Sequence, residues 1–114
     1  MAELKLRVIF KAAMFGPGKA ELLARIEEAG SISAAGRAMG MSYKRAWMLV
    51  EEMNAAFSAP LVSSARGGAG GGGAQLTPTG AEVLRLYHAA LAKAAAAAAS
   101  DLDAMARLLA AADG

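Results

Sequence analysis

The chain has 114 residues, and although 56% are apolar, 31 of these are Ala, which leaves 33 larger apolar residues to build a core. That supply suits one compact helical domain and is thin for an enzyme with a deep pocket. Twelve Lys/Arg against ten Asp/Glu and 19% charged residues exclude a chain disordered by composition, and the lack of cysteine excludes a disulfide scaffold, a thiolate zinc site and cysteine catalysis.

Glu3 to Phe10 alternates polar and apolar residues before turning fully apolar, and predicts a strand. Phe15-Gly16-Pro17-Gly18 predicts a turn. A first helix is expected from about Lys19 to Ala29, capped at Gly18, with Leu22, Leu23 and Ile26 as its apolar stripe and Gly30 as its stop. A short helix follows Ser31 or Ser33 and ends at Gly40; a longer one, capped by Ser42, runs to about Phe57 and closes at Ala59-Pro60. Leu61-Val62 and Ala74-Gln75-Leu76 flank the glycine run 67–73 and read as a strand pair with a flexible tip. Thr77-Pro78 fits a helix cap and first helical position, and Thr79 to Glu82 fits a capping box two residues later. Nothing breaks that last helix before about Ala111, so it makes a rod of about 50 Å, too long to bury against an 80-residue body. No 20–50-residue repeat is evident.

The strongest functional signal lies between Ile32 and Val50. A helix-turn-helix needs small residues where its helices cross, a glycine in the turn, apolar flanks and a cap for the second helix. Ala35 and Gly36, Gly40, Met39 and Met41, and Ser42 supply these in order. Ala46, Leu49 or Val50, Met53 and Phe57 recur at helical spacing and would hold the second helix to the body. Tyr43, Lys44 and Arg45 are left in its first turn, the part that enters a DNA major groove. Between Ser31 and Val50 there are three cations and no acid, and from Met53 to Ala81 Arg66 is the one charge. Glu51 and Glu52 are expected to face away from DNA or to sit beyond its backbone, Trp47 to serve the core, and Met48, one turn after Lys44, to lie near thymine methyl groups or pack while partly exposed.

Gly68 to Gly73 formally matches a dinucleotide-binding glycine pattern, but no helix opens on it and no strand–helix repeat surrounds it. The better reading is a wing tip whose amides, with Arg66, lie along sugar-phosphate. Catalysis finds no support: His88 is the one histidine, and no histidine–carboxylate pair has ligand spacing. The seven methionines read as packing residues. On the last helix Leu84, Leu91, Ala98 and Met105 repeat every seven, with Tyr87, Ala94 and Leu108 between them, which suits a dimer seam, antiparallel or crossing.

Gly30-Ser31-Ile32-Ser33-Ala34-Ala35, Gly40-Met41-Ser42-Tyr43-Lys44-Arg45-Ala46-Trp47, Glu52-Met53-Asn54, the glycine run and Leu76-Thr77-Pro78-Thr79-Gly80 resemble the N-terminal DNA-binding domain of ModE-type molybdate-responsive transcriptional regulators, and more broadly LysR-type regulators. The likeness runs from about Leu22 to Tyr87. It implies a homodimer held by the long helix, a recognition helix carried by Ser42 to Phe57 and a wing carried by Leu61 to Leu76. In ModE, molybdate binds in β-rich domains that follow this one, whereas only helix is expected here after Thr79, so the molybdate-binding domains are expected to be absent.

The resulting expectation is a mainly α chain with a small β component: a winged helix-turn-helix in residues 1–78 and a long dimerisation helix in 79–114. It would be a non-enzymatic transcriptional regulator that binds double-stranded DNA as a homodimer, through Ser33, Ser42, Tyr43, Lys44, Arg45 and Arg66, with Leu84, Tyr87, Leu91, Ala98 and Met105 in the seam. No cofactor, metal or small-molecule effector is expected. Lys5, Arg7 and Lys11 interrupt the N-terminal apolar residues, and the run Ala94 to Ala99 is far below a membrane span, so a cytoplasmic protein without membrane contact is expected. The alternative is a helical adaptor that uses the wing and long helix for protein–protein contacts.

Overall fold

The computed structural model describes residues 2–65 and 73–110. Where a strand was expected over Glu3 to Phe10, only β1 (Val8–Ile9) is paired, antiparallel to β2 (Met14–Phe15), with Val8 opposite Phe15. The strand is short because its partner offers two residues before Gly16 and Pro17 turn the chain into a helix. Upstream of β1, the Leu6 carbonyl accepts a hydrogen bond from the Tyr87 hydroxyl at 2.6 Å, which fastens the N-terminal segment to the last helix.

Helix α1 (Pro17–Ala29) starts two residues earlier than its composition suggested. Gly16, not Gly18, is the cap residue, and Pro17 takes the first helical position, where its missing N–H costs nothing. Gly30 ends α1, its N–H returning to the Ile26 carbonyl at 2.8 Å. Helix α2 (Ile32–Ala38) is capped by Ser31, whose hydroxyl accepts from Ala34 N at 3.0 Å. Helix α3 (Tyr43–Ala56) is capped by Ser42, whose Oγ accepts from Arg45 N at 3.1 Å. Between them the chain reverses at Gly40, where φ is +73° and a side chain would be strained.

Strands β3 (Val62–Ala65) and β4 (Gly73–Leu76) form an antiparallel ribbon in which Val62 faces Leu76 and Ala65 faces Gly73. The expected strand pair is therefore present, with Leu61 buried just ahead of it rather than in it. Residues 66–72, with Arg66 and most of the glycine-rich run, lie outside the described residues. Helix α4 (Pro78–Arg107) is capped by Thr77, whose hydroxyl accepts from Gly80 N at 2.9 Å. Of the two possible starts the chain takes the earlier one, and Glu82 is left to pair with Arg85. That hydrogen bond holds the exposed Glu82 carboxyl below its ordinary range.

One core joins Leu22, Leu23 and Ile26 of α1 to Ile32 and Ala35 of α2, Ala46, Val50 and Met53 of α3, then Leu61 and Val62. Phe15, Ala20, Ala74 and, from α4, Leu84 and Tyr87 complete it, so the first turns of α4 take part in the core. The remainder of α4 projects. The radius of gyration is 17.2 Å, against about 13 Å for a compact chain of this length. Among the described residues no helix is long and apolar enough to cross a membrane.

Candidate nucleic-acid interface

The crossing of α2 over α3 sets the site. A Cβ added at Gly36 would sit 2.8 Å from the Ala46 Cβ, closer than real Cβ atoms approach, so glycine there lets the two helices meet. Met41 N reaches back to the Gly36 carbonyl at 2.9 Å and closes the turn. With Ala46, Val50 and Met53 buried, the 3.6-residue period turns Lys44 and Met48 to the opposite, solvent face of α3. Of the pair Leu49 and Val50, Val50 is the core residue and Leu49 is half-buried.

Tyr43, Lys44 and Arg45 occupy the exposed first turn of α3, as their sequence positions suggested. Neither cation is in an ion pair among the described residues, so both are available to an anionic ligand. The helix N-terminus adds its own partial positive charge at the same place. Ser42 has its oxygen engaged as the cap, which leaves its O–H to donate outward. Tyr43 lies edge-on to Trp47 at 6.1 Å, and Trp47 is half-buried against the core rather than presented as an open stacking face. Ser33 accepts from the Arg37 guanidinium at 3.2 Å, which brings a further cation to the exposed side of α2. Glu52 pairs with Lys19 at 3.4 Å on the flank of α3, and this draws one of the two downstream acids toward the body.

Three hydrogen-bonded ties that sequence reasoning did not identify fasten the ribbon and its flanking residues to α3, to each other and to the α1–α2 turn. Asn54 Oδ1 accepts from Leu61 N at 2.8 Å and Val62 N at 3.0 Å, and its Nδ2 donates to the Val62 carbonyl at 3.1 Å. The Thr77 hydroxyl donates to the Pro60 carbonyl at 2.6 Å. Ala74 N donates to the Gly30 carbonyl at 2.9 Å, joining β4 to the turn between α1 and α2. No local signal marks Asn54, since its partners lie seven and eight residues downstream.

The residues expected in the seam divide. Leu84 and Tyr87 are buried in the body and anchor α4, because the first turns of the helix lie across α1 and the ribbon. Leu91 and Ala98 are half-covered, and Met105 is exposed.

Residues 18–81 match the bacterial regulatory helix-turn-helix protein, lysR family. The molybdenum-pterin-binding protein MopB of Rhodobacter capsulatus is 49% identical over 77 residues, 68% of this chain and 28% of that protein. The transcriptional regulator ModE of Yersinia pestis is 40% identical over 87 residues, and the DNA-binding transcriptional dual regulator ModE of Escherichia coli K12 is 41% identical over the same length; each alignment covers 75% of this chain and 33% of the relative. The chain thus spans about a third of the length of the curated relatives it matches.

Proposed function

The chain belongs to the lysR family of bacterial regulatory helix-turn-helix proteins, and from that premise we propose that it binds double-stranded DNA as a homodimeric, sequence-specific transcriptional regulator of the ModE kind. The family is regulatory rather than enzymatic. The observation that carries the reading is the Ser42-capped end of α3, where Lys44 and Arg45 stand exposed outside any ion pair among the described residues. Such side chains at a recognition-helix N-terminus reach base edges in the major groove. Arg37 with Ser33, and the Ser42 hydroxyl, suit the flanking phosphates. Arg66 and the glycine-rich run would contact the adjacent sugar-phosphate backbone. Residues Leu91, Ala98 and Met105 would face a second copy.

Selection of bound duplexes from a random library tests this directly. The expected outcome is enrichment of inverted repeats with half-sites about 34 Å apart, and an affinity that falls linearly in a log–log plot against salt. Absence of enrichment together with no retention on heparin at low salt would refute it and leave the protein–protein adaptor.

A further inference from the structure

Met39, Met41, Met48 and Met53 lie within the helix-turn-helix, and one of them stands apart. Met53 is buried, and Met39 and Met41 pack against the core on either side of the turn. Met48, in the middle of α3, is 49% exposed. At about 100° per residue, Met48 points within about 15° of the direction opposite to Ala46, Val50 and Met53, and falls between Lys44 and Arg45 around the helix. A large apolar side chain is thus centred on the outward face that the two cations flank. We infer that Met48 reads the C5-methyl group of a thymine in the major groove. The inference rests on the DNA-binding reading above and names a base that this face selects.

The chemistry of the base edges leads to thymine. In the major groove guanine shows two acceptors, cytosine an amino donor and adenine one of each, whereas thymine adds a methyl group beside its acceptor. A thioether donates no hydrogen bond and accepts only weakly. Over guanine, adenine or cytosine it would strip water from polar groups without replacing the lost bonds, which costs affinity. Against a methyl group it gains apolar contact through a flexible chain and a polarizable sulfur.

Charge keeps this part of α3 over the bases. Glu51, about one turn beyond Met48 on the same outward side, is exposed and in no ion pair among the described residues. A face that carries its carboxylate is repelled by phosphate and does not lie along the backbone. Lys44 and Arg45 supply the attraction from the first turn, the end of the helix that enters the groove. Along the helix axis Met48 lies about 4.5 Å from Arg45 and about 6 Å from Lys44. Base steps are about 3.4 Å apart, so the methyl group is placed within about three base pairs of the position that Arg45 reads.

Deoxyuridine differs from thymidine by that methyl group alone, so the test begins with the protein untouched. The duplex selected from the random library is rebuilt with deoxyuridine at one thymine of each half-site at a time and titrated by fluorescence anisotropy. At one such position wild-type affinity is expected to fall about 4-fold per half-site, or about 15-fold for the duplex. That is the fold-change of burying one methyl group, about 0.8 kcal/mol. Met48→Ala, at an exposed position where alanine suits a helix, is expected to bind the thymine and deoxyuridine duplexes alike. Met48→Leu is expected to keep most of the difference, being apolar and of similar volume. A selected half-site without thymine, a wild type indifferent to every replacement, or a methyl effect that persists in Met48→Ala overturns the thymine contact and leaves DNA binding standing. Failure to select any duplex overturns both.

Discussion

Asn54→Ala is expected to cost more than its half-exposed position suggests. The side chain makes three hydrogen bonds to Leu61 and Val62, whose own side chains are buried. Each is worth about 1 kcal/mol net, and more where a backbone group is left without a partner. Water reaching part of the gap lowers the sum, so a loss of about 2–3 kcal/mol follows, set against a total stability of about 5–15 kcal/mol. With an unfolding entropy near 2.1 cal/mol/K per residue, each kcal/mol lowers Tm by about 4 °C at this length, so Tm drops by about 8–12 °C. Urea and thermal unfolding followed by circular dichroism at one fixed protein concentration measure this, since association would otherwise shift the midpoint. Asn54→Asp keeps both acceptor contacts but sets a carboxylate oxygen against the Val62 carbonyl, so it is expected to fall between the wild type and the alanine variant. A loss below about 0.5 kcal/mol for Asn54→Ala would show that the ribbon is positioned by its apolar contacts and that the three bonds are redundant with water.

Gly36→Ala gains up to about 1 kcal/mol in helix propensity but pushes a methyl group against Ala46; overpacking costs about 1–3 kcal/mol, so a net loss of about 0–2 kcal/mol is expected by urea unfolding, and a gain of about 1 kcal/mol would mean that α2 and α3 separate freely. Ser42→Ala removes the cap of α3 and is expected to lower stability by about 1 kcal/mol, whereas Ser42→Asp restores the acceptor but weakens duplex binding by adding a negative charge. In duplex titrations at several salt concentrations, Arg45→Ala is expected to discriminate less by about 1–3 kcal/mol at one base position per half-site, while Arg66→Ala weakens specific and scrambled duplexes alike. Equal losses on both duplexes for Arg45→Ala would remove base reading from the first turn of α3.

Much of this architecture is written in local chemistry. Ser42 ahead of a basic turn, Gly40 in the reversal, and Thr77-Pro78 at the start of α4 each act on backbone groups within three or four residues, so their meaning survives in a linear reading. The small residues at the α2–α3 crossing are legible for a related reason, because Gly36 and Ala46 belong to one short motif. The start of α1 was misplaced because Gly16 and Gly18 flank Pro17 and both offer a cap; the structure uses Gly16, which leaves Pro17 as the first helical residue. The β1–β2 hairpin escaped because two residues carry no period, and Met14 and Phe15 become a strand only by pairing with Ile9 and Val8. Asn54 escaped because its bonds cross a turn of the chain. Helix α4 shows the division most clearly: Leu84, Leu91, Ala98 and Met105 share one heptad spacing, yet Leu84 is buried and Met105 exposed. Periodicity determines which side of a helix is apolar, but what that side meets depends on where the body ends, and the body ends soon after Tyr87.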